Sequence, residues 1–525
     1  MKNTKEFFKK PIIPAVLLVL SVIGAILYYA ARSNWIFVDI STNIERFTFG
    51  LLYTMILNSV ALCVLLLIRL KNEAVINKKS YLPFVAVEFG LSGILFIVSL
   101  VFAFMMLRGE AAEGYLLYLQ KSLFNAFFFI TVSFFALFFS FLNKKARKSV
   151  VAVTLALTTV IVAFAVLPLK PFKITSDPMV INTGEDYSVV FSTSDFGTGF
   201  VEYTYGGKEY KLYDENAGRL KSDSYIHSIN IPFEHLDNNT YKIGSQRVVE
   251  QYSYGSRTGK TITSGEYKFT PAKTEDMTCL VISDWHTRLE RAYDAISYAG
   301  DFDAVILLGD SSPGVDFEEQ VVNNIVKFGG EVSKGAKPII YARGNHETRG
   351  EYAGEILDAL GLNEFYYAAD VGGVSFVVLD SGEDKADTHP EYGGMTEYKK
   401  YRENMIDWLK TVDVKNEKVV AICHSWAISD IEKDLSLTGW GELSRLGASL
   451  IMSGHIHQYR FLGDGDEAEK EMFSRYPNIT GYVAGGDING TYVASVVTFG
   501  EKEIIIKAID NSGKTLFDET VQWQK

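Results

Sequence analysis

Apolar positions along the chain follow two patterns that meet near residue 170. Before it, they form long runs with few charges; after it, they form short runs broken by Gly, Asn, Asp and Ser. Five of the long runs, at 12–31, 50–68, 83–107, 123–142 and 150–169, reach the roughly 20 residues that a helix needs to cross a bilayer core. The first follows basic residues, as an export signal does. It is longer than a cleaved apolar segment and four more runs follow it, so it is read as a retained helix. From Pro171 to Pro271 the texture shifts to short alternating segments such as 187–192 and 200–205. Turn clusters at 182–185, 205–208, 237–240 and 256–260 separate them. This predicts a small antiparallel β-sandwich over 171–272. From Met277 onward, apolar strand-like runs at 279–283, 303–308 and 338–342 alternate with helical stretches at 287–298 and 317–328, the pattern of a layered α/β domain over 273–525. The expected architecture is therefore multidomain: five transmembrane α-helices in 1–170, a β-sandwich, then an α/β domain.

Charge sharpens this division. Residues 1–169 hold 16 Lys and Arg against 7 Asp and Glu, and the remainder holds 35 against 56. Cationic residues near helix ends are retained on the cytoplasmic side. Lys2, Lys5, Lys9 and Lys10 precede the first run; Arg69, Lys71, Lys78 and Lys79 follow the second; Lys144, Lys145, Arg147 and Lys148 follow the fourth. The intervening loops carry only Arg32, Arg46, Arg108 and Lys121. The N-terminus is thus expected in the cytoplasm and everything beyond residue 170 outside, in a multi-pass protein of the cell membrane with the lipid bilayer as a partner. Glu88, the one acidic residue inside these runs, is read as reaching the interface. The acidity of the second part argues against a nucleic-acid polymer as partner, since phosphate backbones need clustered cations. Three cysteines, Cys63, Cys279 and Cys423, exclude a disulfide scaffold and are read as small buried hydrophobes. His227 and His235 fall outside any ligand spacing and are read as hydrogen-bonded or surface histidines.

The strand-like runs of the α/β region all end in residues of one kind. They lead into Asp284-Trp285-His286, Gly309-Asp310, Gly344-Asn345-His346-Glu347, His424, and Gly454-His455-Ile456-His457. Ligands collect at the carboxyl ends of strands in such sheets, so these segments predict one rim lined with oxygen and imidazole donors. Alternation along an extended segment would point Asp284 with His286, and His455 with His457, toward a common centre. Oxygen and imidazole without thiolate suit zinc, manganese or iron(II). Seven donors are too many for one ion; two ions about 3.5 to 4 Å apart, sharing a carboxylate, use all of them and leave positions for water and a phosphate.

Taken in order, these blocks resemble those of the calcineurin-like metallophosphoesterase superfamily, over about residues 278 to 485. The resemblance implies an αββα sandwich and a hydrolase that attacks phosphate esters with a metal-bound hydroxide. It implies one metal on Asp284, His286, Asp310 and His457 and a second on Asp310, Asn345, His424 and His455, with Asp310 bridging. His346 matches the family's histidine that protonates the leaving oxygen or stabilises developing charge. The preceding β region and the segment 341–350 resemble purple acid phosphatases more particularly. The chain departs from them at Pro313, where those enzymes have a tyrosine ligand, and at His286, which they lack, so an iron–tyrosinate site is not expected.

Arg343 and Arg349 flank Asn345-His346-Glu347 and are the candidate substrate-binding groups, because guanidinium grips phosphate through paired hydrogen bonds. Asp380, Glu383, Asp384 and His389 are candidates for a pocket wall. Trp285, Trp426 and Tyr459 are candidates to stack on an aromatic leaving group. The leading expectation is a membrane-anchored phosphatase or phosphodiesterase whose substrate is a phosphoester. Two rivals are a module that binds phosphorylated ligands without hydrolysis, and an accessory domain of a membrane transporter or sensor.

Overall fold

A computed structural model describes residues 172–252, 255–425, 433–463 and 467–524, with short helical pieces between 58 and 97 and between 146 and 156. Among the described residues no helix is long and apolar enough to cross a membrane. The expected spans at 12–31 and 123–142, and Glu88, lie outside the described residues; the other three spans are described only in fragments. The chain forms two compact units, Met1–Leu169 with Gln251–Ser256 and Lys170–Glu250 with Arg257–Lys525.

In the second unit the β region comes first, with β1 (Met179–Asn182), β2 (Tyr187–Tyr205), β3 (Lys208–Tyr213), β4 (Ser224–Ile231) and β5 (Thr240–Tyr252). The two segments expected at 187–192 and 200–205 belong to one long strand. Tyr187–Ser192 of β2 pairs with β1 and β4, the register breaks between Ser192 and Gly197, and Gly197–Tyr203 pairs with β5. This bend wraps the strands around their own apolar core of Val180, Val189, Phe191, Val201, Ile229 and Ile243. The cluster at 256–260, expected as a turn, lies inside a strand at Gly255–Thr263. Ladder pairing with β5 overrides its local turn chemistry.

The α/β region follows with β6 (Met277–Ile282), α1 (Leu289–Ser297), β7 (Ala304–Leu307), α2 (Lys327–Ser333), β8 (Pro338–Tyr341), β9 (Tyr367–Val371), β10 (Val374–Leu379), α3 (Tyr398–Leu409), β11 (Val419–Cys423), α4 (Lys433–Arg445), β12 (Ala448–Ser453), β13 (Tyr459–Phe461), β14 (Thr480–Ala484), β15 (Thr491–Phe499), β16 (Glu503–Asp510) and β17 (Thr515–Gln522). One sheet runs β17-β16-β15-β6-β7-β8-β1-β2-β5, and a second runs β9-β10-β11-β12-β14-β13. The β region therefore has its own core yet shares a sheet with the α/β region, through parallel pairing of Val180 with Pro338 and Ile181 with Ile339.

Burial explains why β10, β11 and β12 of the second sheet are mostly apolar, with Ser375, Ser449 and Ser453 as their only polar residues. Phe376, Val378, Val420, Ile422, Leu450 and Met452 face the core shared with Ile282, Ile306 and Phe499 of the first sheet. Their neighbours Val377, Leu379, Ala421, Cys423 and Ile451 face Met405, Ile406 and Leu409 of α3 and Trp440 and Leu443 of α4. Side chains alternate across a strand, and here both faces are buried, so the few polar residues, such as Ser375 and Ser449, are small and hydrogen-bonded. Each such aliphatic side chain contributes about 1.5–3 kcal/mol. Parallel β6, β7 and β8 in one sheet and β11 and β12 in the other end at the same rim, which is where polar residues begin.

Candidate metal centre

All seven predicted donors lie on segments that leave these strand ends, and the structure brings them together. Ligand atoms of Asp284, His286 and His457 lie within 4.8 Å of one another, as do those of Asp310, His424 and His455. His286 Nε2 stands 3.3 Å from His457 Nε2, and His457 Nε2 stands 3.3 Å from Asp284 Oδ1. On the other side, His424 Nε2 is 3.2 Å from Asp310 Oδ2, and His455 Nδ1 is 3.0 Å from Asn345 Oδ1. Asp310 Oδ2 also lies 3.8 Å from His286 Nε2, which puts it between the two groups.

The expected extended geometry of the paired donors does not hold. Asp284, His286, Asp310, His455 and His457 have φ of 52°, 39°, 56°, 72° and 50°. The strands stop at Ile282 and Ser453, and the donors sit in left-handed turns beyond them. Such backbone costs on the order of 1–3 kcal/mol per residue and persists where surrounding structure fixes it. Here the amides of Asp284 and His286 donate to the carbonyls of Gly309 and Asp310, both at 3.0 Å, and the His455 amide donates to Asp284 Oδ2 at 3.0 Å. Gly454 is required beside them, because a Cβ there would strike Ser283 Oγ and Asp284 Oδ2.

Glu347 organises the loops from β7 and β8. Its fully buried carboxylate accepts from the amides of Asp310 and Gly344 at 2.9 Å and from the Ser311 amide and hydroxyl at 2.5 Å. The glutamate in Gly344-Asn345-His346-Glu347 was visible in sequence, but its partners lie up to 37 residues away. Trp285 takes a role other than the expected stacking. It is fully buried against Phe328, and its indole donates to the Asn324 carbonyl at 2.9 Å. Asn324 lies in a π-helical turn, Val322–Val326, where a widened backbone frees carbonyls for such contacts. The tryptophan thus pins the segment that carries Asp284 and His286. Trp426 lies outside the described residues, and Tyr459 is partly exposed on β13.

Electrostatics favour a cation at the cluster's centre. His424 Nδ1 donates to the Leu308 carbonyl at 2.5 Å, and His457 Nδ1 donates to the Asp487 carbonyl at 2.6 Å. These bonds aim the Nε2 atoms inward, and His424 Nε2 is buried without a hydrogen bond. Burial lowers the pKa of His286 and of His455 to about 4, so both are neutral donors near pH 7. Burial opposes protonation of His424 too, but Asp310 and Asp284 outweigh it and push this group up to about 10. Burial raises Asp284, whereas His424 and His346 hold Asp310 below the usual carboxylate range against the same penalty. Nitrogen and oxygen donors gathered around buried carboxylates fit a divalent metal, which would displace the proton on His424.

His346 flanks this cluster. Its Nδ1 donates to the carbonyl of Pro313 at 2.9 Å, and its Nε2 lies 3.8 Å from Asp310 Oδ2. Arg349 reaches it with Nη1 at 3.3 Å from Nε2, while its Nε and Nη2 fork Glu383 at 2.6 and 2.8 Å. Arg343 has a different setting from the one expected. Its buried guanidinium pairs with Asp380 at 2.6 and 2.9 Å and covers the ring of Phe365, so this pair holds the base of the site together. Of the expected wall, Glu383 is buried under Arg349 and Thr348, and Asp384 Oδ2 approaches His455 Nε2 at 3.8 Å. His389 instead caps a short turn, where it accepts from the Glu391 amide. Sequence reading missed Asp487, whose carbonyl meets His457, and Arg288 and Arg291, which pair with the carboxylate of Asp487.

No curated relative matches the chain in sequence. Among solved structures, one described as PhoD is 11% identical, covering 66% of this chain and 88% of its own, with a TM-score of 0.39. A structure described as GAP50, the anchor in the inner membrane complex of Plasmodium, is 12% identical, covering 48% and 90%, with a TM-score of 0.34. A metallophosphoesterase from Sphaerobacter thermophilus is 17% identical, covering 42% and 83%, with a TM-score of 0.22. Residues 277–459 match the model of the calcineurin-like phosphoesterase family, and all seven donors fall inside that stretch. The donor cluster thus belongs to a calcineurin-like metallophosphoesterase domain spanning residues 277–459.

Proposed function

We propose that this protein is a membrane-anchored phosphoester hydrolase that works with two divalent metal ions, its catalytic domain facing the exterior. The observation that carries the hydrolase reading is the convergence of Asp284, His286, Asp310, Asn345, His424, His455 and His457 in two groups that meet at Asp310. Asp284, His286, Asp310 and His457 would hold one ion, and Asp310, Asn345, His424 and His455 the other. Bound there, two metals supply Lewis acidity and an activated water to an in-line displacement at phosphorus. The chain's own residues do the rest. Carbonyls of Leu308 and Asp487 fix the imidazole tautomers of His424 and His457. His346, oriented by Pro313 and touched by Arg349, is placed to hold a proton for the leaving oxygen. Manganese, zinc and iron all suit these donors. Support for the anchor is the five apolar runs and the lopsided distribution of Lys and Arg between alternate loops.

The full chain, purified with detergent and assayed on an aryl phosphate with each metal added, tests the chemistry. Asp310→Ala is expected to reduce turnover by more than about 100-fold, beyond the loss from removing a supporting contact. Undiminished turnover by Asp310→Ala would refute the assignment. Protease added to intact cells is expected to release a fragment beginning after residue 169; protection of that fragment would reverse the orientation.

A further inference from the structure

The charged groups on the two rims of the metal centre are balanced differently. On the His455 side, Glu383 forks Arg349, Asp384 Oδ1 lies 3.9 Å from Arg349 Nη2, and Lys385 bridges Asp384 and Glu391 at 3.2 and 3.1 Å. Two cations there meet three carboxylates. On the His457 side, Arg288 and Arg291 share the single carboxylate of Asp487, Arg288 in a close ion pair and Arg291 at 3.5 Å. Their side chains stay 47% and 45% exposed, while Asp487 is buried at 6%.

Position separates this pair from scattered surface arginines. The carbonyl of the same Asp487 accepts from His457 Nδ1 at 2.6 Å, so the guanidinium groups are anchored to the residue that orients a candidate metal ligand. Arg288 lies two residues beyond His286, and its amide donates to the carbonyl of the buried Trp285. Arg291 follows one turn later on α1, on the same face. Each guanidinium has five N–H donors, and among the described residues the shared carboxylate of Asp487 occupies few of them, leaving donors for another anion.

We propose that Arg288 and Arg291 bind a second anionic group of the substrate, so that the preferred substrates are phosphoesters carrying a further phosphate or carboxylate on the His457 side of the scissile phosphate. This rests on the hydrolase reading and assigns its substrate class. The fork geometry of arginine matches either oxyanion through paired hydrogen bonds. A simple aryl monophosphate would leave this rim unused.

The test compares kcat/KM for propanediol bisphosphate and propyl phosphate on the purified full chain with manganese. The wild type is expected to prefer the bisphosphate by about tenfold or more, as charge-assisted hydrogen bonds imply. Arg288→Gln/Arg291→Gln should lose that preference, with melting temperature recorded to show folding. Arg291→Gln alone should reduce it by about threefold or more, and serves if the double variant unfolds. Equal kcat/KM for the two substrates in the wild type, or a variant whose losses on both are equal, would overturn the proposal and leave the arginines as a clamp on Asp487. Absence of turnover with both substrates sinks the hydrolase reading instead. In that event calorimetric binding of the two compounds to metal-loaded protein still judges the arginines, since equal affinities would reject them.

Discussion

His227 in the β region and His424 in the α/β region are sealed to the same degree, at 1% and 2% exposure, yet their surroundings differ in kind. His227 sits within β4, opposite Phe191 of β2, on regular ladder backbone. Its Nε2 meets the hydroxyls of Thr193 and Ser245 at 3.0 and 3.3 Å, and Asp214 stands off at 3.8 Å. Hydroxyl partners rotate to suit either tautomer at Nε2, while Nδ1 is buried without a hydrogen bond, as His424 Nε2 is, so an unpartnered ring nitrogen does not separate the two. His424 is the first residue beyond β11, faces Asp310 at 3.2 Å, and is surrounded by donors held in left-handed turns. Burial therefore does not mark a metal ligand. Convergence of lone pairs from separate strand ends, maintained at a cost in backbone strain, does.

The largest expected effect comes from truncating each histidine in turn. His424→Ala should lower the affinity for metal at one position by more than about 100-fold and abolish turnover, because a direct donor is lost rather than a supporting contact. His227→Ala should leave metal content and turnover alone while costing about 1–3 kcal/mol of stability, from the hydroxyls left unpaired in the core. Metal content by mass spectrometry and chemical denaturation read the two outcomes. Metal loss in the His227 variant would erase the distinction.

A pair of glycines sharpens the same contrast at smaller scale. A Cβ at Gly199 would strike the His227 ring, and one at Gly454 would strike Asp284 and Ser283. Both alanine variants should lose about 1–3 kcal/mol through overpacking. Gly454→Ala should also weaken metal binding by about 10- to 100-fold, as displacement of groups that orient a ligand does. Equal metal affinities in the two variants would show that the turns at the rim tolerate movement.

How much of this was legible in the sequence depends on the range of the forces involved. Strands Val374–Leu379 and Val419–Cys423 stand out in the sequence because burial on both faces leaves Ser375 as the one polar residue in them. The seven donors were legible because each directly follows such a run. The pairing of Arg343 with Asp380 was not legible, since Asp380 comes from another strand end and nothing local in the sequence announces that pair. The parallel pairing of Ile181 with Ile339 was hidden for the same reason. Left-handed backbone at Asp284 and His457 is uncommon even for residue types that tolerate it, and the assembled rim fixes it there.

Proton linkage offers the smallest and most specific separation of the two regions. In the β region burial raises the pKa of Asp237, despite the hydrogen bond it accepts from the Tyr187 hydroxyl at 2.9 Å. In the α/β region burial also acts to raise Glu383, but the Arg349 fork and the Thr348 hydroxyl outweigh it and hold the carboxyl below its ordinary 4.5. The signs of linkage are then opposite. Folded Glu383 binds a proton less readily than unfolded Glu383, so its contribution is present above the ordinary glutamate range and is lost as pH falls through it. Folded Asp237 binds a proton more readily, so its contribution is present below the ordinary aspartate range and is lost as pH rises. Denaturation measured from pH about 6 to about 3 should therefore show the stability gap between wild type and Glu383→Gln closing as pH falls, while the gap to Asp237→Asn moves the other way. Parallel trends would mean that the Arg349 fork does not outweigh burial, and that the rim beside His346 is held by packing rather than by charge.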